Sequence, residues 1–194
     1  MIALIDYGAG NTASVSNILR QLSAELILTG DSKSIEAAEK IILPGVGEAS
    51  SAMEKLSELG LIETLRNLSQ PFLGICLGMQ LLCESTEEGN VKCIGVIPEV
   101  TKRFQKNELK VPHMGWNSIN KITGDKLLMN IHAETYFYFA HSFFVPQNKY
   151  TTSVCNYGID FSASLNYKNF YGVQFHPEKS AQQGIKIIKN FLEL

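Results

Sequence analysis

Cys76 lies in a sequence context that could make its side chain a nucleophile. It follows the apolar run Phe72-Leu-Gly-Ile and precedes Leu-Gly-Met-Gln, so Gly74 and Gly78 flank it two positions away on each side. This Gly-x-Cys-x-Gly spacing predicts a tight strand-to-helix turn, where glycines relieve crowding around the exposed nucleophile. A helix opening at Leu77 would direct free N–H groups and its positive dipole end at the sulfur, which favours the reactive thiolate.

A second strand end, far downstream, supplies the partners that a thiol nucleophile needs. The run Tyr171-Gly-Val-Gln-Phe ends at His176, and Pro177 favours an extended conformation for the residue before it. In an extended segment Glu178 would point the same way as His176 and could orient its imidazole, leaving the other nitrogen for the thiol proton. Separately, the two motifs could be a buried core cysteine and a surface His–Glu pair. Together they predict a Cys76–His176–Glu178 catalytic triad.

Composition restricts the class of protein. The 194 residues predict one domain spanning residues 1–194, and 17 basic against 19 acidic residues give a net charge of −2, which favours neither nucleic acid nor membrane as a partner. The first apolar stretch is too short for a signal peptide and no run approaches membrane-spanning length, so we predict a cytoplasmic protein. The cysteines are expected to be free thiols, and the spacing of cysteines and histidines predicts no metal site. The residues interpreted as packing or otherwise non-catalytic are Cys83, Cys93, Cys155 and His132.

The order of apolar and amphipathic segments predicts an α/β fold. Its expected form is an open, mostly parallel central sheet flanked by helices, with an inserted mixed or antiparallel sheet in the second half. Cys76 would then stand at the carboxyl end of a strand, where open parallel sheets carry their reactive groups. The predicted strands are residues 2–5, 26–28, 41–43, 72–75, 96–98, 136–140, 150–154 and 161–165. The predicted helices are residues 14–22, 32–38, 48–59, 77–84 and 183–194, the last with Ile185, Ile188 and Leu192 on its apolar face.

A glycine-rich loop after the first strand offers a competing function. The segment from Gly8 to Ala13 fits Gly-x-Gly-x-x-Ala, with Asp31 about twenty residues further on, which is a pattern of dinucleotide-binding proteins. Asp6 and Tyr7 intervene between the strand and the first glycine, which weakens the match. The same glycines would also suit a tight turn that approaches another chain.

The two catalytic motifs, Gly-Ile-Cys76-Leu-Gly-Met-Gln80 and Gln174-Phe-His176-Pro-Glu178, resemble those of the class I, triad-type glutamine amidotransferases. Three further segments narrow the resemblance to the glutaminase subunits of imidazole glycerol phosphate synthases. They are Ile5-Asp-Tyr-Gly-Ala-Gly-Asn11, Leu43-Pro-Gly-Val-Gly47 and Val111-Pro-His-Met-Gly-Trp-Asn117. The resemblance implies hydrolysis of glutamine to glutamate and ammonia without a cofactor. It also implies a heterodimer with a cyclase subunit, which uses the ammonia to make imidazole glycerol phosphate and an aminoimidazole carboxamide ribonucleotide in histidine biosynthesis.

The resemblance also assigns roles to residues outside the triad. The glycine-rich turn at Val46 and Gly47, with the Leu77 amide, would form the oxyanion hole, because such a turn presents unobstructed N–H groups. The implied substrate contacts are Gln80, Glu88, Ser142 and Phe143, and the implied partner interface comprises Tyr7, Asn11, Pro112, Met114, Trp116 and Asn117. From composition alone, Trp116 could equally be a buried corner or an interface anchor.

Two other interpretations stay open at this point. One is a stand-alone cysteine hydrolase or peptidase on a similar fold, which would act without a partner. The other is a nucleotide-binding module that uses the loop from Gly8 to Ala13. A basic stretch is more simply a solvated face than a partner-facing patch; it comprises Lys102, Arg103, Lys106 and Lys110, with Glu108 among them.

Overall fold

The computed structural model describes residues 1–105, 109–122 and 124–194. The helices are α1 Thr12–Gln21, α2 Ser32–Ala37, α3 Ala49–Glu58, α4 Leu61–Arg66, α5 Leu77–Leu81 and α6 Ala181–Leu192, with 3₁₀ helices at Lys126–Leu128 and Pro177–Lys179. The strands are β1 Ile2–Ile5, β2 Leu26–Thr29, β3 Lys40–Gly45, β4 Phe72–Cys76, β5 Cys83–Thr86, β6 Val91–Lys92, β7 Ile97–Arg103, β8 His113–Lys121, β9 Thr135–His141, β10 Phe143–Phe144, β11 Thr151–Asn156, β12 Asp160–Tyr167 and β13 Phe170–Val173. Each helix in the described ranges is too short or too polar to cross a bilayer.

The main sheet has nine strands in the order β2-β1-β3-β4-β13-β12-β11-β8-β9. Its first five strands are mutually parallel, and the remaining pairs are antiparallel. The last strand in the chain, β13, therefore lies in the middle of the sheet beside β4, with Val173 opposite Ile75. This arrangement confirms the predicted α/β class and brings the end of β13 next to Cys76.

The strands of the second half divide between two sheets. Those predicted near residues 136–140, 150–154 and 161–165 extend the main sheet as β9, β11 and β12. The segment predicted at residues 96–98 instead opens β7 in a separate mixed sheet with the order β10-β7-β5-β6. This small sheet ends in β10, beside Ser142, and so supports one wall of the site described below.

The helix predicted over residues 77–84 is wrong in its second half. Helix α5 ends at Leu81, and Cys83 begins β5 instead of lying two turns along the helix. Amides of residues 94–97 donate to the carbonyls of residues 81–83, so tertiary bonds replace a continued helical ladder. Sequence patterns also missed α4, which follows the left-handed Gly60, and β8, whose residues lack an apolar alternation.

The core lies on both faces of the main sheet. Alternate residues of β1 point to opposite sides, so Ala3 and Ile5 join one buried cluster while Ile2 and Leu4 join the other. Helices α1 and α6 pack on the second face, and α2 to α5 on the first. In α6 the buried apolar residues are Ile187, Ile188 and Phe191. Of the three residues predicted on this face, Ile188 is buried, whereas Ile185 and Leu192 are only partly buried.

Candidate active site

Cys76 occupies a strained turn at the junction of β4 and α5. Its backbone has φ 52° and ψ −107°, a conformation that a residue with a side chain adopts only where the surrounding structure enforces it. A Cβ atom on Gly78 would lie 2.0 Å from the carbonyl oxygen of Leu43, and one on Gly74 would lie 2.7 Å from the Gly78 backbone. The glycines flanking the cysteine therefore let α5 fold directly onto β3 and β4, as the spacing predicted.

His176 and Glu178 form a buried hydrogen-bonded pair beside this turn. Strand β13 ends at Val173, His176 caps the 3₁₀ helix Pro177–Lys179, and its Nδ1 lies 2.8 Å from Oε1 of Glu178. The expected contact is present and His176 itself is extended, with φ −98° and ψ 98°, as the following proline predicted. The extended geometry proposed for Glu178 is wrong, because the 3₁₀ turn is what folds its side chain back. A carboxylate only accepts hydrogen bonds, so Nδ1 carries the hydrogen and Nε2 is left for the Cys76 side chain.

The charge state of His176 follows from these two neighbours. Burial alone would disfavour the imidazolium, but hydrogen bonds to Cys76 and Glu178, together with their negative charges, outweigh it and raise the pKa of His176 to about 10. A charged imidazole beside Cys76 would stabilise negative charge on the sulfur, as a thiolate nucleophile requires. Glu178 holds this imidazole in place through Nδ1.

Cys76 and His176 open into a cleft of about 280 Å³. That volume is just below the range of about 300–1,000 Å³ typical of ligand pockets, as expected for a ligand of amino-acid size. The cleft also contains all the residues predicted for the oxyanion hole and for substrate binding: Val46, Gly47, Leu77, Gln80, Glu88, Ser142 and Phe143. Glu178 stands behind His176, with its side chain 2 % exposed.

Two of the predicted substrate contacts already have partners within the protein. Oε2 of Glu88 accepts the amide of Ala49, the first residue of α3, at 2.9 Å, and burial raises the pKa of Glu88. The side-chain amide of Gln80 donates to the carbonyl of Phe143 at 2.8 Å and to Oε1 of Gln174 at 2.9 Å. Gln80 thus shapes the wall of the cleft through its NH₂ group, which has no further hydrogen to offer a ligand.

Four polar residues near the cleft escaped the sequence analysis as site residues. His141 and Lys179 line the cleft, His113 lies 3.0 Å from His141 between ring nitrogens, and Nε2 of Gln174 donates to Sγ of Cys76 at 3.5 Å. Burial lowers the pKa of His113 to about 4 and that of His141 to about 3, so both rings are neutral at pH 7. These contacts join residues far apart in the chain. The only local signal was Gln174, a polar residue inside an otherwise apolar strand end.

The residues predicted at the partner interface fall into two groups. Pro112, Met114 and Trp116 are exposed, and the β8 positions among them project from the same face of the strand. Met114 is 64 % and Trp116 53 % exposed. Two large apolar side chains therefore lie next to each other in contact with water, which is typical of a surface that a partner covers. Pro112 and Met114 also line the cleft, so this exposed face, which we call the β8 face, adjoins the candidate active site.

The side chains of the other three predicted interface residues form hydrogen bonds within the protein. Tyr7 is 2 % exposed and donates its hydroxyl to the carbonyl of Pro44, so its assignment as a surface contact is wrong. Asn11 accepts the Ser14 amide and caps α1. Asn117 donates its amide to the Asn156 carbonyl at 2.9 Å and lies 3.3 Å from Nε2 of His113. Asn11 and Asn117 are partly exposed, so only Tyr7 is fully withdrawn from the surface.

The Gly8 to Ala13 loop forms a tight turn, in which Gly8 and Gly10 have positive φ angles of 77° and 106°. A Cβ on Gly10 would lie 3.2 Å from the Pro44 carbonyl oxygen, so this turn packs against the glycine-rich turn of the cleft. Asp31 caps α2 by accepting the Ser34 amide. The geometry fits the interpretation as a turn better than a phosphate cradle.

The remaining cysteines are buried free thiols. Burial raises the pKa of Cys93 and of Cys155 to about 12 and also raises that of Cys83, so these thiols stay protonated and unreactive. In the basic stretch, Lys102 pairs with Glu87 at 3.0 Å. Lys106 and Glu108 lie outside the described residues.

Comparison of the sequence with known proteins gives matches over the full length. The family model described as Glutamine amidotransferase class-I matches residues 3–194. The chain is 48 % identical to the imidazole glycerol phosphate synthase subunit HisH of Bacteroides fragilis, over 100 % of this chain and 99 % of that protein. It is 47 % identical to the HisH subunit of Buchnera aphidicola, with 100 % and 99 % covered, and 45 % identical to that of Haemophilus influenzae, with 99 % and 96 % covered.

Solved structures with a similar fold have more distant sequences. PurLQS from Thermotoga maritima matches with a TM-score of 0.73 at 17 % identity, covering 99 % of this chain and 97 % of that one. The glutaminase domain of CTPS from Trypanosoma brucei matches with a TM-score of 0.69 at 15 % identity, covering 99 % and 93 %. At such identities the likeness concerns the fold alone.

Proposed function

The chain belongs to the class-I glutamine amidotransferase family, and from this premise we propose that it hydrolyses glutamine to glutamate and ammonia for imidazole glycerol phosphate synthase. The proposal includes delivery of the ammonia to a cyclase subunit in histidine biosynthesis, because the similar proteins at 45–48 % identity over their full length are HisH subunits of that synthase. A location in the cytoplasm, where such biosynthesis would take place, is part of the same proposal.

One observation carries the chemistry: Cys76 and His176 line the same cleft of amino-acid size, and Nδ1 of His176 lies 2.8 Å from Oε1 of Glu178. A thiolate activated by a charged imidazole, with a third group orienting that imidazole, is the general arrangement for nucleophilic catalysis. The strained elbow presents the sulfur to the cleft at the carboxyl end of β4. Neither of the alternatives, a nucleotide-binding module or a stand-alone hydrolase, accounts for all of these features together with the full-length similarity.

In the first half of the reaction, the Cys76 thiolate attacks the side-chain amide carbon of glutamine. The carbonyl double bond opens to an oxyanion, which the amides of Val46, Gly47 and Leu77 would stabilise by hydrogen bonds. The His176 imidazolium then gives its Nε2 proton to the amide nitrogen. The C–N bond breaks, ammonia leaves, and a thioester joins the glutamyl group to Cys76 while His176 becomes neutral.

In the second half, the neutral imidazole of His176 takes a proton from water as that water attacks the thioester carbonyl. A second oxyanion forms in the same place and collapses with cleavage of the C–S bond. Glutamate leaves, and Cys76 and His176 return to the ion pair. Throughout both halves Glu178 keeps the hydrogen on Nδ1 and stabilises the charged ring, and it never accepts a proton itself.

Recognition of the amino-acid end of glutamine would use the far wall of the cleft. Glu88 supplies negative charge for the α-amino group, and the backbone N–H groups of Ser142 and Phe143 are the donors for the α-carboxylate. The carbonyls of both residues are engaged inside the protein, since Ser142 accepts the Phe104 amide at 3.1 Å and Phe143 accepts from Gln80. The backbone there is therefore better suited to a carboxylate than to an ammonium group.

The β8 face supplies the docking surface for the cyclase in this proposal. Free ammonia is mostly protonated at neutral pH and would escape, so the synthase must receive it close to where it is made. Pro112 and Met114 lie both on the β8 face and in the cleft lining. A subunit seated on that face would cover the exit from the cleft directly.

The decisive experiment is a glutaminase assay of the purified chain with and without the cyclase subunit. We expect glutamate formation in the complex, and transfer of the amide nitrogen of ¹⁵N-labelled glutamine to the cyclase product. Turnover of peptides or esters in preference to glutamine, with no effect of the cyclase, would favour a stand-alone hydrolase. Calorimetric binding of a dinucleotide, with no glutaminase activity, would favour the nucleotide-binding module.

A further inference from the structure

We infer that Gln174 is a positioning residue for the nucleophile, holding the Cys76 thiolate with a buried amide donor that is separate from His176. The inference rests on the proposed role of Cys76 as the nucleophile. Gln174 has no exposed surface and does not line the cleft, so it acts on the sulfur from the protein side. Its Nε2 lies 3.5 Å from Sγ of Cys76, within hydrogen-bond distance for sulfur.

The orientation of the Gln174 amide is fixed by a chain of bonds that begins at a backbone carbonyl. The carbonyl of Phe143 can only accept, so the atom of Gln80 that lies 2.8 Å from it must be the NH₂ nitrogen. The atom of Gln174 that lies 2.9 Å from this same nitrogen must then be Oε1. It follows that the NH₂ group of Gln174 points at Cys76, where it can only donate.

The Phe143 carbonyl, at which this series of hydrogen bonds begins, also accepts a second hydrogen bond, from His141. Nδ1 of His141 lies 2.7 Å from it and must donate, which leaves Nε2 of His141 as an acceptor for Nδ1–H of His113 at 3.0 Å. Both rings are neutral at pH 7, as this single arrangement of hydrogens requires. The two lone pairs of the Phe143 oxygen are thus used by Gln80 and His141, so the carbonyl has no freedom to turn away.

A fixed donor at the sulfur has a definite chemical effect. Hydrogen bonding to the charged form of a group favours that form, so the Gln174 amide adds to the stabilisation of the thiolate by His176. Since the donor is immobile, it also helps to hold the sulfur in one position at the edge of the cleft. Gln174 therefore should influence the rate of attack on glutamine more than the binding of glutamine.

The test is the pH profile for alkylation of Cys76 by iodoacetamide, measured on the full chain by peptide mass spectrometry. We expect Gln174→Met and Gln174→Leu, which remove the donor and keep an apolar group of similar size, to move the profile upwards by about one pH unit. Labelling below the midpoint would then fall about tenfold, while the plateau at high pH stays the same. In complex with the cyclase, kcat should fall and KM for glutamine should change less than about twofold.

Asn190→Ala is the matched control, because Asn190 is a buried amide that donates to two carbonyls, Leu127 and Met129, away from the cleft. It should lower the thermal midpoint and leave the alkylation profile in place. A folded Gln174 variant with an unshifted profile overturns the inference. If neither Gln174 variant folds, Gln80→Met is the test. Loss of the group that orients Gln174 should shift the alkylation profile upwards in the same way. An unshifted profile in a folded Gln80→Met variant overturns the inference. Absence of glutaminase activity in the unaltered complex would instead overturn the proposed function.

Discussion

Glu178 reaches His176 across one turn of 3₁₀ helix, with Oε1 2.8 Å from Nδ1 of the imidazole. The backbone of this turn is anchored on both sides, because the His176 amide donates to the Tyr138 carbonyl and its carbonyl accepts the Ser180 hydroxyl. Gly184 of α6 also packs against Pro177, where a Cβ would lie 1.9 Å from the carbonyl oxygen. The imidazole is thus oriented by the fold as well as by the carboxylate. Loss of the carboxylate should therefore leave part of this orientation in place.

Glu178→Gln should therefore reduce glutamine hydrolysis less than His176→Ala does. The amide oxygen can still accept from Nδ1, but the negative charge that stabilises the imidazolium is lost. His176→Ala removes the proton carrier of both half-reactions. Single-turnover thioester formation, followed by rapid quench, measures the difference. If both variants form thioester at the unaltered rate, the His–Pro–Glu segment has only a structural role.

Cys76→Ala should abolish hydrolysis without unfolding the chain, since the substitution removes a thiol and adds no atoms to the turn. An electrophilic glutamine analogue should label Cys76 alone, because the pKa values of the three other thiols are raised by burial. Peptide mapping of the labelled chain checks this. Labelling of Cys83, Cys93 or Cys155, with hydrolysis retained in the alanine variant, would contradict the assignment.

Gly78→Ala should destabilise the fold and the elbow together. The added methyl group would lie 2.0 Å from the Leu43 carbonyl oxygen, a backbone atom that cannot move without shifting β3. We expect a loss of about 3 kcal/mol or more in the free energy of unfolding, in the range reached by substitutions that overpack a core. Gly124→Ala is the control, because no described atom lies within 4 Å of its added Cβ. Urea unfolding of both variants measures the contrast, and equal stabilities would show that the turn can relax.

The elbow could be predicted from the sequence because its determinants are local. Two glycines and a cysteine at fixed spacing, after an apolar strand, leave few other conformations. The Gln80–Gln174–Cys76 contacts could not be predicted in this way, because their existence depends on β13 being inserted beside β4 from the far end of the chain. The buried Tyr7 was misplaced for a similar reason. The family resemblance implied a place for Tyr7 at the partner interface, and only the tertiary contact with Pro44 shows that the ring is buried in this chain.

The His113–His141 pair should make the protein sensitive to acid. Burial lowers the pKa of His113 to about 4 and that of His141 to about 3, against an ordinary value of about 6.5 in the unfolded chain. Between those values the unfolded chain binds more protons than the folded one. The contribution of these two rings to the free energy of unfolding is therefore fully present above about pH 6.5. It is lost as the pH falls towards 4, by at most about 1.4 kcal/mol per pH unit for each ring.

Removal of one ring tests this origin of the acid sensitivity. In His113→Phe the slope of unfolding free energy against pH between 4.5 and 6.5 should be smaller than in the unaltered protein, whatever the loss of absolute stability. Asn190→Ala, which removes a buried amide that does not titrate, should keep the original slope. Urea titrations at a series of pH values give both slopes. A slope unchanged in His113→Phe would mean that other groups cause the acid lability.

Docking of a ligand-loaded cyclase on the β8 face should raise glutaminase activity by at least about tenfold, or about 1.4 kcal/mol of transition-state stabilisation. Partner contacts can act on the cleft there because Pro112 and Met114 belong to both surfaces. Trp116→Ala should weaken the association or let ammonia escape, and should leave the alkylation of Cys76 unchanged. Leu28→Ala is the control, since Leu28 is 47 % exposed on β2, at the opposite edge of the main sheet. Sedimentation and coupled glutaminase assays measure both effects. If Leu28→Ala weakens the association and Trp116→Ala does not, the docking surface lies elsewhere.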